Sequence, residues 1–243
     1  MARPSKIRRL GGNRDLMQDS AEPSAKALRT PRAAGAAGIL SALLLGGAMI
    51  LVRRAIPERP LEVTAYLADV AGRDALRQAL ILLPFGGVFF LWFMGALRDS
   101  IGAREDRFFA TVFLGAGLLY VAMLFVFGAT ASAFVVTIDA MKGSIPPAGL
   151  LHYGRHLTIT LLTEYAPRMA GVFALTATTI VARLGLFPRW LILAGYVVGL
   201  VQVLLVSRVA WSEIIFPAWV MVVGFVLLIL PADRIDAPNM PKR

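Results

Sequence analysis

Apolar residues in this chain come in long unbroken runs, separated by short stretches rich in arginine. A helix needs about 20 apolar residues, at about 1.5 Å each, to cross a hydrocarbon layer about 30 Å thick. Six runs meet or approach that length: "AAGAAGILSALLLGGAMILV" over 33–52, "QALILLPFGGVFFLWFMGAL" over 78–97, and others over about 108–130, 163–183, 190–207 and 214–230. Peptide groups cannot stay unpaired in lipid, so such runs are helices or strands of a closed barrel. These runs do not alternate polar and apolar residues with a period of two, which excludes the barrel. The expectation is an all-α protein, a polytopic membrane bundle of six transmembrane helices over 33–231. Residues 1–32 hold few apolar residues and read as a disordered basic cytoplasmic tail. Residues 232–243 read as a second cytoplasmic tail. The first run starts too far into the chain, and is too long, for a cleaved signal peptide, so it is expected to stay as an anchor.

Sidedness follows from the lysines and arginines. With the N-terminus inside, sixteen lie on the cytoplasmic side and eight on the other, and Arg168 lies within a run. This bias predicts both termini inside, in a multi-pass protein of the cell (cytoplasmic) membrane. Arg53 and Arg54 run against it, since they follow the first span on its outer side. Composition agrees: 58% of residues are hydrophobic, only 16% are charged, and mean hydropathy is +0.70. Cysteine is absent, which removes disulfides, thiolate metal sites and a cysteine nucleophile. The net charge of +10 sits in the tail and at span ends, without interleaved base-stacking aromatics. Nucleic acid is therefore not an expected partner, whereas the lipid bilayer and its anionic headgroups are.

Small residues at Ala34, Gly38, Ala42 and Gly46 form a stripe at four-residue spacing, where another helix backbone can approach closely. The stripe packs the bundle or joins a homo- or hetero-oligomer through the first span. Pro84, Pro167 and Pro217 fall in the same half of three spans that run in the same direction. Each frees the carbonyl four residues back and bends its helix, so the three are candidates to line an outward-facing cavity. Glu164 and Arg168 are spaced i and i+4 in the favourable order for a helical ion pair. Counting back from Arg183 puts Glu164 at the membrane edge and Arg168 about one turn inside, at the mouth of such a cavity. His152 and His156 share a helical face and are a candidate metal pair, with Asp139 or Glu213 as an oxygen ligand. Ordinary interfacial histidines are the plainer reading, and no cofactor is predicted beyond that candidate ion.

The connector "RLGLFPRW" is expected to be tight, with Gly185 ending one helix, Pro188 opening the next and Trp190 at the interface. The outer loop holding "LEVTAYLADVAG" is expected to contain a short helix. "RDSIGAREDRFF" reads as a salt-bridged connector. The sequence holds no Walker loop, no G-x-S-x-G and no dinucleotide fingerprint, so an enzyme is not the favoured reading.

The stretches "FLWFMGALRDSIGAREDRFFATVFLGAGLLYVAMLF" and "APRMAGVFALTATTIVARLGLFPRWL" resemble an uncharacterised family of bacterial six-span integral membrane proteins. The similarity covers roughly residues 78–205 and is sharpest at "REDRFFATVFLG" and "RLGLFPRWL". It implies a six-span fold and a membrane location, and it brings no activity, substrate or catalytic residue. Three function classes stand. One is a small transporter or ligand-binding protein with an outward-facing cavity. The second is a structural or accessory subunit that binds partner proteins. The third is a membrane-embedded enzyme or metal-binding protein.

Overall fold

The computed structural model describes residues 31–55, 69–101, 107–141, 147–206 and 211–229. The expected helix within the first outer loop falls mostly on 56–68. Both tails, apart from Pro31 and Arg32, likewise lie outside the described residues.

Every described element is helical: α1 (Pro31–Ala55), α2 (Val70–Ile101), α3 (Arg107–Ala140), α4 (Ala148–Thr160), α5 (Ala166–Arg183), α6 (Arg189–Leu200) and α7 (Ser212–Ile229). A π turn over Leu161–Tyr165 joins α4 to α5, and a second over Val201–Leu205 extends α6. Among the described residues the protein is thus all-helical, and four helices are long and apolar enough to cross a membrane: Arg32–Ala55, Val70–Asp99, Arg107–Ala140 and Ser212–Ile229. The other two expected spans do not reach that mark, for identifiable reasons. α5 carries three threonines and two arginines among its 18 residues, and the apolar stretch Arg189–Leu205 is shorter.

Helix lengths also depart from the expected spans. α2 and α3 have 32 and 34 residues, and α4, its π turn and α5 make one rod from Ala148 to Arg183. Such rods measure about 50 Å, well beyond a hydrocarbon layer of about 30 Å. The extra turns carry the polar residues that hydropathy read as loop. Asp69 caps α2, accepting from the Gly72 N–H at 2.8 Å. One turn further, Arg77 donates to Asp74 at 2.8 Å and to Asp139 of α3 at 2.6 Å. The span expected to begin near residue 163 thus lies within a longer helical rod that begins at Ala148, because hydropathy measures fitness for lipid and not helicity.

Consecutive rods run antiparallel. Phe93 of α2 lies against Gly38 of α1, and Leu45 of α1 lies against Gly86 of α2. The Ser41 hydroxyl fixes that crossing by donating to the Gly86 carbonyl at 3.0 Å. α1 also crosses α7, where a Cβ added to Gly35 would sit 2.7 Å from the Gly224 carbonyl oxygen. Further along, Pro217 lies beside Gly46, and Glu213 meets Arg53. The described start of α1 and end of α7 therefore share one end of the bundle.

The core is aromatic. Phe90, Tyr120, Phe173 and Phe216 come from four different helices and are all buried. Their ring centroids lie 4.9–5.9 Å apart in edge-to-face pairs. This geometry matches ring edges to ring faces and locks the helices in register.

Candidate functional site

Polar side chains with unusual surroundings gather at the end of the bundle away from Pro31 and Ile229. Glu213 stands in the first turn of α7 with its side chain fully buried (0% exposed). Arg53, in the last turn of α1 and 17% exposed, meets it in a two-pronged ion pair. Nε donates to one carboxylate oxygen, and an Nη donates to the other at 3.2 Å. A planar guanidinium fits a carboxylate in this way and satisfies both oxygens at once. The same guanidinium lies 5.7 Å from the ring centroid of Trp211. Trp211 has φ of 63°, a left-handed backbone that bulky side chains rarely adopt. The chain turns sharply there, and the Trp211 carbonyl accepts the Ile214 N–H at 3.0 Å to start α7.

The second half of the cluster comes from the π turn after α6. Gln202 is fully buried (0% exposed) within that turn. Its amide nitrogen donates to the Ser212 carbonyl at 3.0 Å, and the Ser212 hydroxyl donates to the Val206 carbonyl at 3.1 Å. Among the described residues the Gln202 amide oxygen has no hydrogen-bond partner. A buried acceptor without a donor costs about 1–3 kcal/mol, so the position favours a hydrogen-bond donor from outside the chain. π turns are rare and recur at functional sites, because one extra residue redirects side chains and backbone carbonyls. A buried charge pair, a strained backbone and an unpartnered amide oxygen thus converge where α1, α6 and α7 meet.

The residues expected from sequence are distributed differently. Glu164 and Arg168 do pair, with Arg168 donating to the Glu164 carboxylate at 2.5 Å and to its backbone carbonyl at 2.6 Å. The pair spans the first π turn and the start of α5, with both side chains about one-third exposed. Pro167 follows that turn directly and is buried, as is Pro217. The turn closes with the Ala166 N–H on the Leu161 carbonyl, a five-residue step just before the proline that cannot donate. Pro84, by contrast, is exposed on α2, so the three prolines do not face one common interior.

His152 and His156 are both exposed on α4. The two carboxylates offered to them are engaged elsewhere, Asp139 with Arg77 and Glu213 with Arg53. Among the described residues no three His, Cys, Asp or Glu side chains gather as a metal site. Ala34, Gly38 and Ala42 are buried within the chain, and Gly46 lies beside Pro217. The small-residue stripe therefore serves intramolecular packing.

Arg53, Gln202, Trp211 and Ser212 were not singled out by sequence pattern as site residues. Two signals were present. Arg53 ran against the charge bias of the expected topology, and Gln202 is the lone amide in the run "YVVGLVQVLLVS".

No protein-family model matches the chain, and neither a curated protein nor a solved structure matches it. The likeness carried by "REDRFFATVFLG" and "RLGLFPRWL" stays a resemblance.

Proposed function

We propose that this chain is a six-crossing integral membrane protein, with both termini on the cytoplasmic side, that binds a small polar solute at its outer end. The site is the Arg53–Glu213–Gln202–Ser212 cluster. The single observation that carries this reading is the buried Gln202 amide oxygen without a donor, beside a buried charge pair. A solute hydroxyl or ammonium would supply the missing donor. Glu213 and Arg53 offer one charge of each sign, so a zwitterionic solute can pair with both without adding a net buried charge. The aromatic layer formed by Phe90, Tyr120, Phe173 and Phe216 lies deeper in the bundle. It favours a binding site reached from one end over an open pore.

The test uses purified protein in mild detergent, screened for thermal stabilisation by amino acids, polyamines, polyols and small carboxylates. At least one class is expected to raise the melting temperature of the parent, and to lose that effect in Gln202→Leu, which keeps the bulk and removes the acceptor. Equal responses in parent and variant, or none in either, would remove the ligand-binding reading and leave the accessory-subunit alternative.

A further inference from the structure

The opposite end of the bundle carries a different chemistry at the corner between α5 and α6. Arg183 ends α5, Gly185 turns the chain with φ of 66°, and Arg189 opens α6. The Arg183 guanidinium carbon lies 4.4 Å from the ring centroid of Phe109 on α3. Phe109 is itself packed against the core, so the ring is a fixed platform. A guanidinium stacked by its face keeps its N–H edge free, and it has already given up most of its rotamer freedom. Arg189 is exposed one tight turn away. The first turn of α6 holds no acidic residue, and the sequence has none between Glu164 and Glu213. Among the described residues neither Arg183 nor Arg189 forms an ion pair.

An apolar strip leads away from this corner. Trp190 (57% exposed), Leu193 (66%), Val197 and Leu200 follow one another at three- and four-residue steps along α6, all exposed. A free phosphate would use only the arginines. A phospholipid would use both parts, with its phosphate on the guanidiniums, the Trp190 ring at headgroup depth and an acyl chain along the strip. Resting on the membrane reading above, we infer that the α5–α6 corner is a binding site for an anionic phospholipid headgroup.

The experiment is native mass spectrometry of detergent-purified protein given equimolar phosphatidylglycerol and phosphatidylcholine. The parent is expected to retain phosphatidylglycerol preferentially. The double variant Arg183→Gln with Arg189→Gln is expected to lose that preference on the order of tenfold. Arg54→Gln, an exposed arginine at the other end, is expected to keep it. Millimolar sodium phosphate is expected not to displace the bound lipid. Retention unchanged in the double variant overturns the site, and displacement by sodium phosphate overturns the lipid as its occupant. If the double variant does not fold, Arg189→Gln alone is read, with a partial loss expected and an unchanged preference counting against the site. Flotation with phosphatidylcholine vesicles separates the two readings. A parent that does not float ends the membrane reading, whereas a parent that floats without headgroup preference ends only this inference.

Discussion

Arg53 and Glu213 are 160 residues apart in sequence and form an ion pair in which the carboxylate is fully buried. Removing one member of a buried pair leaves the other charge desolvated, at about 3–5 kcal/mol. The two partners are not equivalent, because Glu213 is fully buried while Arg53 keeps some access to water. Arg53→Gln, which strands the carboxylate, is therefore expected to destabilise by about 3 kcal/mol or more. Glu213→Gln is expected to cost less, since the stranded guanidinium can reach water. The double variant is expected to fall short of the sum of the two. Denaturant unfolding in detergent, followed by circular dichroism, measures all three. A strictly additive double variant would mean that the pair contributes no coupling. Sequence reading found both residues and paired neither. Hydropathy is a local property, and nothing local at Arg53 signals a carboxylate on the last helix.

Among elements, the apolar runs located every described helix except α4, and α2 and α3 extend beyond the spans expected on them. The turns of α2, α3 and α4 at the end that holds Arg77 are polar enough to look like loops, yet Asp69 caps one of them and Arg77 ties two together. The π turns were not legible, because one added residue leaves the apolar pattern of "LLTEY" and "VQVLL" unchanged. Only the proline after the first π turn hinted at it. That turn sets the rotation of α4 against α5. Deleting Thr163 would return the rod to α-helical register and swing α4 by about 100°. In the present structure a Cβ on Gly154 of α4 would fall against the Phe134 ring of α3. The absence of cysteine allows Gly154→Cys and Phe134→Cys to be joined by a short bismaleimide. Cross-linking is expected in the full-length chain and not after the deletion. Equal cross-linking in both would show that the π turn does not set the helix rotation.

At the scale of the whole molecule, the two ends of the bundle differ in chemistry. One end holds a buried polar cluster between α1, α6 and α7, and the other an exposed basic corner beside an apolar strip. That polarity has a function only if every rod crosses the bilayer, including the less apolar α5 and the shorter α6. The all-helical class and the four strongest crossings could be read from composition and run length. The two further crossings expected from run length do not reach the same mark in the structure: threonines and arginines dilute the hydropathy of α5, and the apolar stretch Arg189–Leu205 is short.

The most direct measurement is sided labelling of single cysteines placed at three exposed positions: Tyr153 before the α4–α5 rod crosses, Arg189 after it, and Trp211 after α6. Each variant is expressed in cells and treated with a membrane-impermeant maleimide before and after permeabilisation. The six-crossing bundle is expected to label Tyr153→Cys and Trp211→Cys in intact cells, and Arg189→Cys only once the membrane is opened. Labelling of all three alike in intact cells would mean that neither rod crosses, which would contradict the six-crossing bundle and the sidedness of both sites.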